Sequence, residues 1–121
     1  MAAMTEDERK DTAREFGHVV NMTQAALAKW LDSDESKSVG MTAGGEKVAQ
    51  AGQGEAVGHE MGRTILKLRA KKAAELDEAD YAAMRKVVGY VHRHGKQRPD
   101  GDVTDTRWRK SLMNWGHDPL K

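Results

Sequence analysis

Large apolar residues recur at spacings of three and four over most of the chain, the period of helices that bury one side. Ala13, Phe16 and Val20 form the first such run. It is opened by Thr5-Glu6-Asp7-Glu8, in which Thr5 can accept from the third backbone N–H while Glu8 reaches back to the cap. Thr23 is the next candidate cap, and Leu27, Trp30 and Leu31 give a short second helix its buried face. A third helix is expected from near His59, with Met61, Ile65 and Leu68 on one side and Arg63, Lys67 and Lys71 on another. Asp77, with Asp80 three residues on, caps a fourth that runs from Glu78 to about His94. Tyr81, Met84, Val88 and Val91 are its apolar stripe, and Gly95 is the expected residue just past its end.

Pro99-Asp100-Gly101 signals a turn, and Thr104 or Asp105 can cap a final helix whose apolar face is Trp108, Leu112 and Trp115. Gly116 should stop that helix and Pro119 prevent its resumption. Between Asp32 and Gly58 the periodicity fails. This stretch holds six of the twelve glycines and almost no large apolar side chains, the composition of a long flexible loop. Val39 and Val57 stand near its two ends as possible anchors. The pattern therefore predicts an all-α, compact bundle of about five helices in a single domain over residues 1–121. Residues 1–4 are expected to be disordered, and a Gly-rich flexible loop, 32–58, is expected between the second and third helices.

Composition narrows the chemistry. The chain has no cysteine, which removes disulfides, thiolate metal sites and cysteine nucleophiles. It has no apolar run of membrane length and a polar, acidic start, MAAMTEDERKD, so a cytoplasmic location is expected. No HExxH, EF-hand loop, GxSxG elbow or P-loop occurs. His92 and His94, two apart on a helix, point about 200° apart and cannot chelate one ion. These gaps predict a protein that is not an enzyme and uses neither metal nor cofactor.

Charge changes the picture more. Residues 1–60 carry 6 Lys/Arg against 11 Asp/Glu, and residues 61–121 carry 14 against 8, so the halves stand at −5 and +6. A basic second half suggests an anionic partner; attraction between the two halves, or solubility alone, is the competing explanation. Ser36, Lys37 and Ser38, with His59 at the start of the third helix, make a candidate anion site supported by Arg63. Nucleic acid, duplex DNA first, is the natural larger anion. Its candidate contacts are Arg63 and Lys67 on the third helix, Lys86 and Arg93 on the fourth, and Lys96, Arg98, Arg107, Arg109 and Lys110 beyond it. The fourth helix opens Asp77-Glu78-Ala79-Asp80, so its leading end would repel phosphates. Backbone contact with little sequence preference is therefore expected.

The segments GHEMGR, MRKVVGYVHRH, QRPDGDVTDTRW and SLMNWGHDPLK, read in order, resemble the family grouped as domain of unknown function 3140. The resemblance extends from NMTQAALAKWL to the end. It implies a small, largely helical, cytoplasmic actinobacterial protein of a kind often labelled DNA-binding. The family pattern has serine where this chain has Ala56 and Met61, and a shorter central loop; Ser36, Lys37, Ser38, His59 and Arg63 match it. The competing expectation is a protein-interaction or self-association module, built on the glycine-rich stretch and the acidic first half.

Overall fold

Residues 4–37, 39 and 57–121 are described by the computed structural model. Most of the glycine-rich stretch, with Ser38, lies outside these residues. Six α-helices occur among them: α1 (Glu6–Val19), α2 (Gln24–Leu31), α3 (Asp34–Lys37), α4 (Val57–Ala70), α5 (Glu78–Gly95) and α6 (Arg107–Asn114). No strand occurs among the described residues.

Three caps start their helices where the sequence pattern puts them. Thr5 accepts from Glu8 N while Glu8 takes the Thr5 N–H, Thr23 accepts from Ala26 N, and Asp77 and Asp80 form a reciprocal box at α5. Each satisfies backbone donors that the first turn leaves without a partner.

The buried faces then meet in one cluster. It unites Phe16 and Val19 of α1, Leu27 and Leu31 of α2, Met61, Ile65 and Leu68 of α4, Tyr81, Met84, Val87 and Val91 of α5, and Trp108 and Leu112 of α6 with Trp115 just beyond. Leu27, Ile65, Val87 and Leu112 are wholly inaccessible to solvent, and each such side chain contributes roughly 1.5–3 kcal/mol by leaving water. α1 packs chiefly on α5, and α2 on α4, with α6 touching α2, α3, α4 and α5.

Several details depart from the sequence pattern. Asp34–Lys37 is a helical turn inside the segment expected to be a loop, with Ser36 N bonded to the Ser33 hydroxyl. Val39 is buried, so this end of the segment is anchored. α4 begins two residues before His59 and stops at Ala70; a 3-10 turn, Ala73–Glu75, fills the break before α5. Val87, rather than Val88, lies at the centre of the α5 stripe. Gly95 ends α5 as a helical residue instead of following it. α6 is capped by Thr106, because Thr104 gives its N–H and hydroxyl to Asp102 and the chain must first dip to bury Val103. Met4 is not loose: its N–H donates to Glu78.

Two glycines permit the close crossings. A Cβ at Gly62 would stand 2.5 Å from the Asn114 carbonyl oxygen and 2.6 Å from Leu31, so α4 can meet α6 and α2 only without a side chain there. Gly116 takes φ +76°, a conformation that favours glycine, and turns the chain out of α6. The last residues then satisfy the α1–α2 connection. The Asn21 side chain exchanges bonds with the Asp118 backbone at 3.0 and 2.8 Å, His117 Nδ1 donates to the Val19 carbonyl at 2.7 Å, and Lys121 Nζ donates to Asn21 O at 2.7 Å.

One amide joins three helices. Asn114, 1% exposed, accepts from Trp30 Nε1 at 2.8 Å and from the Ser36 hydroxyl, and donates to Ser36 O at 3.1 Å. Asn114→Ala strands two buried donors, so it should cost about 3 kcal/mol. Urea unfolding monitored by circular dichroism measures this; a midpoint equal to that of the unsubstituted protein would contradict the role assigned to the amide.

Candidate nucleic-acid interface

The 3.6-residue period that buries Tyr81, Met84, Val87 and Val91 turns Lys86 and Arg93 outward on α5. Seven residues apart, they differ by only about 20° around the axis. Lys96 follows one turn later, and all three are exposed. None of them makes an ion pair among the described residues. Arg98 continues the basic run past the helix, its guanidinium 5.6 Å from the Trp108 ring centroid. Trp108 itself donates to the His94 carbonyl at 2.7 Å and so locks the end of α5 to the start of α6.

The other candidate cations divide by what holds them. Arg63 and Lys67 are exposed on the outer side of α4, one turn apart. Arg107 is exposed at the first position of α6; Arg63 and Arg107 also make polar contacts of their own. Arg109 is spent inside the fold, gripping Asp118 with two bonds at 3.1 and 3.0 Å and donating to Thr104 O at 2.9 Å. Lys110 lies 3.0 Å from Asp105 and 3.8 Å from Glu35. Drawing Arg109 to a phosphate would break its part-buried bonds to Asp118 and leave that carboxylate uncompensated, and Lys110 already stands between two carboxylates, so the outward set reduces to Lys67, Lys86, Arg93, Lys96 and Arg98, with Arg63 and Arg107 beside it.

Among the described residues the candidate anion site does not assemble. Ser36 is fully buried with its hydroxyl on Asn114, and His59 is buried with Nε2 bonded to the Leu31 carbonyl at 2.6 Å. Both side chains serve helix packing. Lys37 is half-buried and 4.0 Å from Asp32, and Ser38 lies outside the described residues. His117 bonds the Val19 carbonyl and the Asp118 carboxylate is held by Arg109, so both serve the contacts that fix the last residues. Among the described residues no three His, Asp or Glu side chains gather as metal ligands, and no helix is long and apolar enough to cross a membrane.

The aromatic side chains face inward. Tyr90 stacks on Trp115 with centroids 4.1 Å apart and on His94 at 5.1 Å. Burial pushes the Tyr90 phenol up to about 12. Burial also depresses His94, whose Nε2 is enclosed without a hydrogen-bond partner. The sequence pattern overlooked this stack, and overlooked Arg85, which pairs with Glu8 at 3.2 Å and with the Thr12 hydroxyl. Arg85 follows Tyr81 by four residues, which places it on the flank of the buried stripe; that spacing was the available signal.

A family model described as "Protein of unknown function (DUF3140)" matches residues 15–113. No curated protein and no solved structure matches the chain.

The site makes a pH-dependent prediction. Because the folded His94 pKa lies below its ordinary value near 6.5, the unfolded chain binds the proton first as pH falls. His94 therefore contributes stability above that value, and loses it as pH drops from about 6.5 toward the folded pKa. A second, separate loss occurs below about 4. There, burial would raise Asp118, but Arg109 holds it low; the Thr5 N–H does the same for Glu8, Lys71 for Asp80, and the Thr104 hydroxyl for Asp102. Melting temperature against pH should show both steps, and His94→Gln should remove the upper one alone.

Proposed function

The chain belongs to the DUF3140 family of proteins of unknown function, and for it we propose binding of nucleic acid, duplex DNA foremost, through the phosphate backbone. The observation that carries this reading is the outer face of α5. Lys86, Arg93 and Lys96 stand there exposed and without an ion-pair partner among the described residues, while neighbouring Arg85, Arg109, Lys110 and Lys71 are paired within the fold. Grouped cations repel one another and leave a field that attracts an extended polyanion.

Two further features favour a duplex and backbone contact. Phe16, Tyr81, Trp108 and Trp115 are buried, Tyr90 is stacked between rings, and the half-buried Trp30 indole is held on Asn114, so the described aromatic side chains are committed to the fold rather than arrayed as a platform for unstacked bases. The leading turn of α5 holds Asp77, Glu78 and Asp80, with Asp80 on Lys71 at 2.9 Å. That end is unsuited to entering a groove, so the helix would lie across the backbone with little base readout. A protein-docking role has less support: Leu120 is the one large hydrophobic side chain exposed among the described residues.

Four or five phosphate contacts imply that log K falls against log salt with a slope of about −4. The double substitution Lys86→Gln/Arg93→Gln should reduce that slope by about 2, with similar weakening for unrelated sequences. Fluorescence anisotropy with labelled duplex and single-stranded DNA at several salt concentrations reads all three quantities. Affinity for duplex that is indifferent to salt, or unaltered in the double variant, would remove the proposal.

A further inference from the structure

Gly89 occupies the middle of α5, where glycine is the least favourable residue after proline. Nothing in the fold asks for it. Its φ is not positive, and a Cβ placed on it would meet no other element, only Arg93, with Nη1 at 3.0 Å and Cζ at 3.8 Å. Gly62 and Gly116, by contrast, are required by contacts or by backbone conformation.

What surrounds Gly89 is distinctive. The residues at i−4, i−3, i+3 and i+4 are Arg85, Lys86, His92 and Arg93, and all four are exposed. These are the positions that border a residue on a helix surface. Gly89 is thus a patch of bare backbone ringed by basic side chains, with the Arg93 guanidinium laid back over it. On one side the patch opens into a groove of about 320 Å³, which Gly89, Val88 and Arg85 share with Glu8, Asp11 and Glu15 of α1. Arg85 neutralises Glu8 at 3.2 Å and Arg14 meets Asp11 at 3.0 Å, whereas Glu15 has no ion pair among the described residues. The acidic wall disfavours an anion in the groove itself, so the rim at Lys86 and Arg93 is the part of the patch suited to one.

We propose that this notch seats one backbone phosphate of a nucleic-acid duplex. The Arg93 guanidinium and the Lys86 ammonium hold its oxygens, and the missing side chain at position 89 lets that guanidinium lie against the helix, so that the phosphate it holds sits close to the helix surface. The inference rests on the nucleic-acid reading above and adds where the closest approach occurs. The nearby α1 carboxylates make the seat poor for a free anion. A duplex, held also by Lys96 and Arg98, compensates through its other phosphates.

The test compares Gly89→Ala and Gly89→Leu with Ala82→Leu, which places the same leucine side chain at an exposed position two turns earlier on α5. Gly89→Ala should raise the melting temperature, because alanine favours helix, and yet weaken binding of a short mixed-sequence duplex. Gly89→Leu should weaken it about tenfold, the loss of one charge-assisted contact, and Ala82→Leu should bind as the unsubstituted protein does. If both Gly89 variants bind normally while Lys86→Gln/Arg93→Gln has lost affinity, the seat is overturned and the nucleic-acid reading stands. If the double variant is also unimpaired, both fall. Equal weakening by Ala82→Leu, or displacement of the duplex by inorganic phosphate at constant ionic strength, likewise overturns the seat.

Discussion

A single buried amide sets the arrangement on which the rest depends. Asn114 is enclosed where α2, α3 and α6 meet, and its two polar atoms are matched to the Trp30 indole and to both the hydroxyl and the carbonyl of Ser36. In a region shielded from water, each of these bonds must be made in the folded state or its partner is stranded. The bonds therefore fix the relative placement of the helices as well as adding stability. Gly62 brings α4 against the same point, since only a residue without a side chain can pass the Asn114 carbonyl. The tail beyond it, from Gly116 to Lys121, then closes on the α1–α2 connection through Asn21 and Val19.

This closure also sorts the charges. Arg109 and Lys110 lie on the helix that Asn114 anchors, and both turn to carboxylates within the molecule. α5 packs on α1 by one side and meets α6 by another, leaving its third side to Lys86, Arg93 and Lys96. The same helix thus has a flank, at Arg85, whose charge is cancelled by Glu8, and a face whose charge is not. A surface of that kind suits a ligand met over a broad front, such as a duplex, better than one enclosed in a cavity.

The reach of sequence reasoning can be seen residue by residue. Phe16, Leu27, Ile65, Met84 and Leu112 were legible as core because helical periodicity is a local property, and the caps at Thr5, Thr23 and Asp77 because each depends on residues only three positions away. The short helix at Asp34–Lys37 was not legible. It holds no periodic apolar run, and it is fixed by the bond from Ser36 to Asn114, 78 residues distant. Ser36 and His59 looked like anion ligands for the same reason: their residue types suit that chemistry, and nothing local reveals that the hydroxyl and the ring are needed to satisfy buried groups.

The amino-acid sequence by itself determined the helical class, most helix boundaries, the apolar faces, the terminating roles of Gly116 and Pro119, and the excess of basic residues in the second half. All of these follow from interactions between residues close in the chain. Which cations face outward was decided by tertiary structure alone, because a lysine or arginine is recognised as paired only when a carboxylate from elsewhere has been brought beside it. Arg109 and Arg93 are indistinguishable in composition; folding gives one of them Asp118 and leaves the other lying over Gly89.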